Sequence, residues 1–239
     1  RAATAGLALM SPMPTRQLAG RAVSAIGLGC MNLNHAYGEP PSPEDALRLL
    51  RRAFELGVTH FDTAALYGFG KNEELIGQWL PDVRSQVFLA SKCGMTAVDG
   101  RRVIDGRPAT LQATVLEALA RLRTDHIDLY YLHRWDAQTP IEETLRAFDD
   151  LIRTGKVLYI GCSTHPAWMV MEALSISERE GLNRYISEQP PYNLLDRRIE
   201  NELIPLCQKY DLAILPWSPL AMGILAGRYP QADRYPEDS

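Results

Sequence analysis

The sequence predicts an α/β fold, a (β/α)8 barrel with an N-terminal β-hairpin, and three observations carry that reading. Helix-like and strand-like segments alternate six times at roughly 25–35-residue spacing, the order that builds parallel strands joined by helices. Nearly every strand ends on a polar or ionisable residue: Asp62, Lys92, His133, Ser163, Gln189, and Trp217 with Ser218. No G-x-G-x-x-G and no G-x-x-x-x-G-K-[ST] joins a strand to a helix, so the phosphate loops common in open doubly wound sheets are missing. A barrel opens all its strand C-termini on one face, where side chains from different strands converge.

The elements follow in order. Residues 1–13, "RAATAGLALMSPM", read as an N-terminal tail, vector-derived or disordered, and 14–239 as one barrel domain. "RQLAGRAVSAIGLG" reads as a hairpin turning at Ala19-Gly20. The first helix starts on Ser42 as N-cap with Pro43 at the first helical position and Asp45 in the first turn, and Gly57 ends it. Its apolar stripe is Ala46, Leu49, Leu50, Ala53 and Phe54. Strand one is Val58 to Thr63. A helix near Asn72 to Leu80 leads to strand "VFLASK", and a helix near Thr110 to Leu122 leads to "IDLYYLH". Helices Ile141 to Thr154, Ala167 to Glu180 and Ile199 to Tyr210 feed strands "KVLYIG", "YISEQ" and "LAILPW".

Composition narrows the function classes. The 239 residues are 46% hydrophobic and 23% charged, the balance of a globular chain, and one domain of this length suits a barrel. The net charge of -4, with no basic cluster longer than an Arg-Arg pair, disfavours nucleic acid and anionic membrane as partners. Cys30, Cys93, Cys162 and Cys207 are too scattered for a metal-ligand spacing or a small disulfide framework, so reduced thiols in a cytoplasm are expected. No apolar run approaches the roughly 20 residues that span a bilayer.

Singly, the strand-end residues have plain explanations: Asp62 as a turn residue, Tyr67 as a packed loop aromatic, Lys92 as a snorkelling surface lysine, His133 as a satisfied polar corner. Together they are harder to dismiss. Lys92, ending the apolar "VFLAS", points into the strand-end face and needs a carboxylate partner there, and Asp62 is the candidate. Period two puts His60 on the same face as Asp62, and it reads as a core residue or one bordering the site.

The stretch "GVTHFDTAALYG", then Ser91-Lys92, "DLYYLHRWD", "GKVLYIGCST", "SEQPPYNLLDR" and "PWSPLAMGILAGRY" resembles the aldo-keto reductase superfamily, in order from about Leu18 to Tyr229. The likeness is closer to the bacterial reductases and the potassium-channel β-subunit branch than to the aldose-reductase branch. It implies a metal-free barrel in the cytoplasm that reduces small-molecule aldehydes or ketones with NADP(H), its catalytic tetrad on Asp62, Tyr67, Lys92 and His133. The chemistry suits those residues. A carbonyl that accepts hydride leaves a developing alkoxide that needs a proton or a donor. A tyrosine of pKa about 10 is a reluctant acid, and a neighbouring ammonium held by Asp62 would lower that value. His133 would donate a hydrogen bond to the carbonyl oxygen and could relay a proton.

The same resemblance implies a cofactor lying across the strand ends. Ser163 and Gln189 would hold the nicotinamide carboxamide and Trp217 would stack on the ring. Ser218, Pro219, Leu220 and Gly223, within "SPLAMG", would offer backbone N–H groups to the pyrophosphate, and Gly29, Cys30 and Met31 would border the ribose beside Asp62. Trp135, Met31, Leu33 and Tyr37 are expected pocket walls. Thr164 stands where many members carry asparagine. The family's last two strands and its basic 2'-phosphate loop have no counterpart, so the barrel is expected to lack its C-terminal part, with about six of eight strand-helix units present. Two further classes are a cofactor-binding regulatory subunit of the channel-β type with little turnover and a metal-dependent barrel hydrolase using His60, Asp62 and His133.

Overall fold

A computed structural model describes residues 13–34, 39–98 and 101–227. A hairpin of β1 (Thr15–Leu18) and β2 (Arg21–Ser24) turns at Ala19-Gly20 as expected. The next two residues to pair, β3 (Leu28–Gly29), leave the hairpin and run parallel to β4 (His60–Asp62). The end of the expected hairpin is therefore a barrel strand. Between them α1 (Pro43–Glu55) starts on Ser42, whose hydroxyl accepts the Asp45 N–H at 3.2 Å.

The chain continues through α2 (Lys71–Ile76), β5 (Phe88–Cys93), a short antiparallel hairpin of β6 (Met95–Val98) and β7 (Arg101–Ile104), α3 (Pro108–Leu122), β8 (Ile127–Leu132), α4 (Ile141–Arg153), β9 (Val157–Ser163), α5 (Ala167–Glu180), β10 (Tyr185–Gln189), α6 (Leu203–Tyr210) and β11 (Ala213–Ile214). Two helices are shorter than the apolar pattern suggests. The first, α2, gives way at Gly77, where a Cβ would stand 2.1 Å from the Arg121 carbonyl oxygen. Close approach of α2 to α3 demands glycine there, and glycine is a poor helix former. The second, α6, starts at Leu203 rather than Ile199 because Pro205, lacking an N–H, is tolerated only in a first turn.

Among the described residues seven strands form one parallel sheet in the order β11-β10-β9-β8-β5-β4-β3, six of them followed by a helix. The sheet curves as an incomplete (β/α)8 barrel with its helices outside. Its two faces are read directly from period-two alternation. On one face Leu89, Cys93, Tyr130, Leu132 and Cys162 join the large cluster under the helices. On the other, Phe88, Ala90, Leu129 and Tyr131 form a second cluster with Leu18 and Val23 of the hairpin, which plugs the strand N-terminal end. Met13 packs on the first cluster.

The plug is fastened by Asp128, fully buried at the start of β8. Its carboxylate pairs with Arg21 of the hairpin at 2.5 Å and Arg84 at 2.8 Å and accepts the Leu89 N–H at 2.9 Å. Asp128→Ala is expected to lower the unfolding free energy by about 2 kcal/mol, below the usual loss for a buried pair because the half-exposed Arg21 can rehydrate. Urea unfolding of the two chains checks it; coincident midpoints would show that the plug does not depend on this carboxylate.

Candidate active site

Alternation along the inner face determines which side chains reach the open end. Phe88 and Ala90 face inward, so Lys92 does too; Leu129 and Tyr131 are followed by His133; His60 by Asp62; Gly161 by Ser163; Ser187 by Gln189. Register completes the gathering, with Asp62 opposite Ala90, Lys92 opposite Tyr131, and Gln189 opposite Ser163.

Tyr67 arrives by another route. It opens a 3-10 turn, Tyr67–Gly70, in which Gly68, Phe69 and Gly70 all take positive φ of 57°, 53° and 91°. Phe69 costs about 1–2 kcal/mol in that conformation, a strain of the kind found where a loop is made to deliver a side chain. The turn is clamped from below. Buried Asn72 donates to the Cys30 carbonyl at 2.8 Å and the Asn34 side chain at 3.0 Å, and accepts the Thr63 hydroxyl at 2.6 Å. Buried Glu73 accepts from Ser91 at 2.6 Å and Arg121 at 2.8 Å.

The four tetrad candidates meet. Lys92 is 1% exposed; its ammonium donates to Asp62 Oδ1, to the Thr63 carbonyl at 2.8 Å and to the Tyr67 hydroxyl at 3.3 Å. Asp62 Oδ2 accepts from Gln189 Nε2 at 2.9 Å. The Tyr67 and His133 rings meet edge to face, centroids 6.0 Å apart.

Electrostatics alters two expectations. Burial is the largest influence on Tyr67 and raises its pKa; the Lys92 ammonium pulls the other way without overcoming it. The phenol is thus held protonated rather than poised toward phenolate. Burial likewise dominates His133, and with repulsion from Lys92, Arg134 and Arg102 pushes its pKa down to about 2. A ring so reluctant to take a second proton is no relay through imidazolium, but it remains a neutral donor. Burial alone would also discharge Lys92; attraction to Asp62 and Tyr67 outweighs it, and the lysine pKa rises.

The proposed cofactor residues are spread along the same rim. Ser163 Oγ donates to the Gln189 carbonyl at 3.0 Å. Trp217 extends the line of β11 beside Pro191, and its Nε1 donates to Thr164 Oγ1 at 3.4 Å. Thr164 has φ 60°, a conformation that asparagine tolerates better than a β-branched residue. Ser218, Ala221, Met222 and Gly223 all have positive φ, Pro219 is exposed and Leu220 is 54% exposed. A Cβ on Gly29 would meet nothing within 4 Å, so the end of β3 is open. At Cys30 the thiol is buried, its pKa raised to about 12, and the backbone groups bond Asp62 and Asn72, which braces the loop.

Of the pocket walls, Trp135 is exposed and Met31 half-buried, while Leu33 belongs to the core under the helices. Tyr37, His35 and Tyr229 lie outside the described residues. His60 is a core residue, edge-on to Phe88 at 5.5 Å. The hydrolase reading fails on donors, since Asp62 is spent on Lys92 and Gln189. Among the described residues the acidic, thiol and imidazole groups close enough to share an ion are Cys162, His165 and Glu188, and Cys162 lies on the helix side of the sheet. Missed in the sequence were Asn72, Glu73 and Arg121, whose only signal was a polar run, "KNEE", beside a glycine-rich turn, and Arg134, whose Nη1 donates to the His133 carbonyl at 2.6 Å and Ser163 Oγ at 3.3 Å.

A model of the Aldo/keto reductase family matches residues 25–239. The chain belongs to the aldo/keto reductase family. It is 35% identical over 229 residues to the aldo-keto reductase yakc [NADP(+)] of Schizosaccharomyces pombe, covering 94% of this chain and 66% of that protein. It is 36% identical over 208 residues to the probable aldo-keto reductase 1 of Glycine max, covering 86% and 58%. The chain thus spans about two thirds or less of these relatives. The holo form of aldo-keto reductase AKR11C1 from Bacillus halodurans superposes with a TM-score of 0.80 at 33% identity, over 94% of this chain and 71% of that one.

The His133 environment makes a specific expectation. Because its pKa is displaced downward, the ring stays neutral on acidification from pH 8 to pH 4, and its ring ¹⁵N shifts should not move across that range. A midpoint near 6.5 would show an imidazole open to solvent.

Proposed function

We propose that the chain is the catalytic barrel of an NAD(P)H-dependent reductase that converts aldehydes or ketones to alcohols. The observation that carries this reading is the Tyr67 hydroxyl, 3.3 Å from a buried ammonium that is itself bound to Asp62. The nicotinamide cofactor supplies the hydride.

The rest belongs to the residues of the rim. Ser163 and the Gln189 side-chain oxygen Oε1 would orient the carboxamide, Gln189 Nε2 being committed to Asp62. Trp217 would pack against the ring. The loop from Ser218 to Gly223, with left-handed residues at Ser218 and at Ala221, Met222 and Gly223, would suit a diphosphate, because such backbone turns gather amide N–H groups into an anion-binding concavity. NADP is favoured over NAD by the name of the fission yeast relative.

Tyr67 donates its proton to the substrate oxygen as the carbonyl carbon takes hydride. Burial keeps that proton on the phenol until the oxygen becomes basic, and the Lys92 ammonium then stabilises the phenolate left behind. Asp62 keeps Lys92 charged and aimed. His133 Nδ1 is buried without a partner among the described residues, so the tautomer carrying its proton on Nε2 is preferred, since an unmatched acceptor is easier to bury than an unmatched N–H. Nε2–H then hydrogen-bonds the substrate oxygen. A regulatory subunit with little turnover would share the fold, but the intact tetrad favours catalysis.

Carbonyl-dependent NADPH oxidation tests this. Tyr67→Phe should cut kcat by about 10²–10⁴-fold, the typical contribution of general acid catalysis, while NADPH binding by fluorescence persists. Full turnover in that variant would remove the assigned acid.

A further inference from the structure

We propose that Arg134, with Arg102 beside it, forms a subsite for an anionic substituent, a carboxylate, on the carbonyl substrate. The inference rests on the reductase reading and names its substrate class.

Arg134 directly follows His133 and is half-buried against the rim. Nη1 makes both of its hydrogen bonds, to the His133 carbonyl and Ser163 Oγ, which accounts for its place in the fold. The donors on Nε and Nη2 carry no partner among the described residues, and none of the ion pairs there includes Arg134. A comparison within the chain shows how unusual this is. Arg121, also partly buried, is paired with Glu73 and its pKa rises; Arg134 lacks such a pair and burial lowers its pKa. Leaving a guanidinium half-desolvated and unpaired is costly, and a planar carboxylate is the group its fork fits best.

The surroundings do not neutralise it. Arg102, exposed on β7, is near enough to depress both His133 and Arg134. Lys92 and Asp62 offset each other. Glu188 is the carboxyl that acts on Arg134, but burial raises its pKa to about 8, so at neutral pH it is mostly uncharged. The rim around Tyr67 and His133 is therefore cationic. The cofactor diphosphate does not explain this, because its proposed loop follows β11, three strands from β8, whereas Arg102 and Arg134 follow β5 and β8. An anion at Arg134 lies on the side of Tyr67 and His133, where the carbonyl must sit.

The test compares 4-formylbenzoate with its neutral methyl ester under NADPH, in the parent chain, Arg134→Met and Arg102→Gln. Using a ratio cancels any effect of Arg134 on Ser163 and the cofactor. The parent should favour the carboxylate by about tenfold in kcat/KM, the order of one charge-assisted hydrogen bond. Arg134→Met should bring the ratio to about 1, and Arg102→Gln should reduce it partway. Reduction of both aldehydes with a parent ratio of 1 or less overturns the subsite while the reductase reading stands. If neither aldehyde is reduced, calorimetric binding of 4-(hydroxymethyl)benzoate and its methyl ester decides: carboxylate preference lost in Arg134→Met upholds the subsite without the activity, and equal binding refutes it.

Discussion

The site is organised around one buried ammonium. Lys92 lies almost wholly inside the protein, where an unpaired charge would cost several kcal/mol, and Asp62, the Thr63 carbonyl and the Tyr67 hydroxyl together make its charge tolerable. Asp62 and Thr63 lie at the end of β4 and Tyr67 opens the turn after it, while the lysine itself belongs to β5. Burying Lys92 as a cation therefore requires β4, β5 and the Tyr67 turn to be in register at once, and the constraint that stabilises the charge also assembles the reacting groups.

Neighbouring parts follow from the same need. Gln189 holds the far oxygen of Asp62, tying β10 to β4 across the rim. Asn72 and Glu73 sit beneath the Tyr67 turn and hold its strained backbone to β3, β5 and α3. The opposite end of the sheet is closed by a separate ion cluster at Asp128 and by the hairpin plug. Stability at one end and chemistry at the other is the division of labour that parallel strands in a barrel permit.

Much of this was legible in sequence because the relevant signals are local. Ser42 caps α1 by its own side chain, "YISEQ" is β10 residue for residue, and period two along Phe88, Ala90 and Lys92 aims the lysine inward. What escaped depends on contacts between distant segments. β3 pairs through only two residues, too few to show a strand pattern, and its partner is over thirty residues away. The β6–β7 hairpin, with Arg102, falls in a stretch with no apolar alternation to mark it. Asn72 and Glu73 look like an exposed helix start until α3 and the Cys30 loop cover them. The direction of the Tyr67 shift was misjudged for a related reason: the charge of Lys92 is visible in sequence, but the burial that outweighs it is not.

The central claim is that the Lys92 charge acts on the Tyr67 phenol within a buried site. Following the Tyr67 ring Cζ by ¹³C NMR across alkaline pH, in the parent chain and in Lys92→Met, tests it directly. The parent phenol should ionise above pH 10 and the variant higher still, because the strongest influence favouring phenolate has gone while burial and Asp62 remain. A variant phenol that ionises at the same pH as the parent, or lower, would show that the two side chains are not electrostatically coupled.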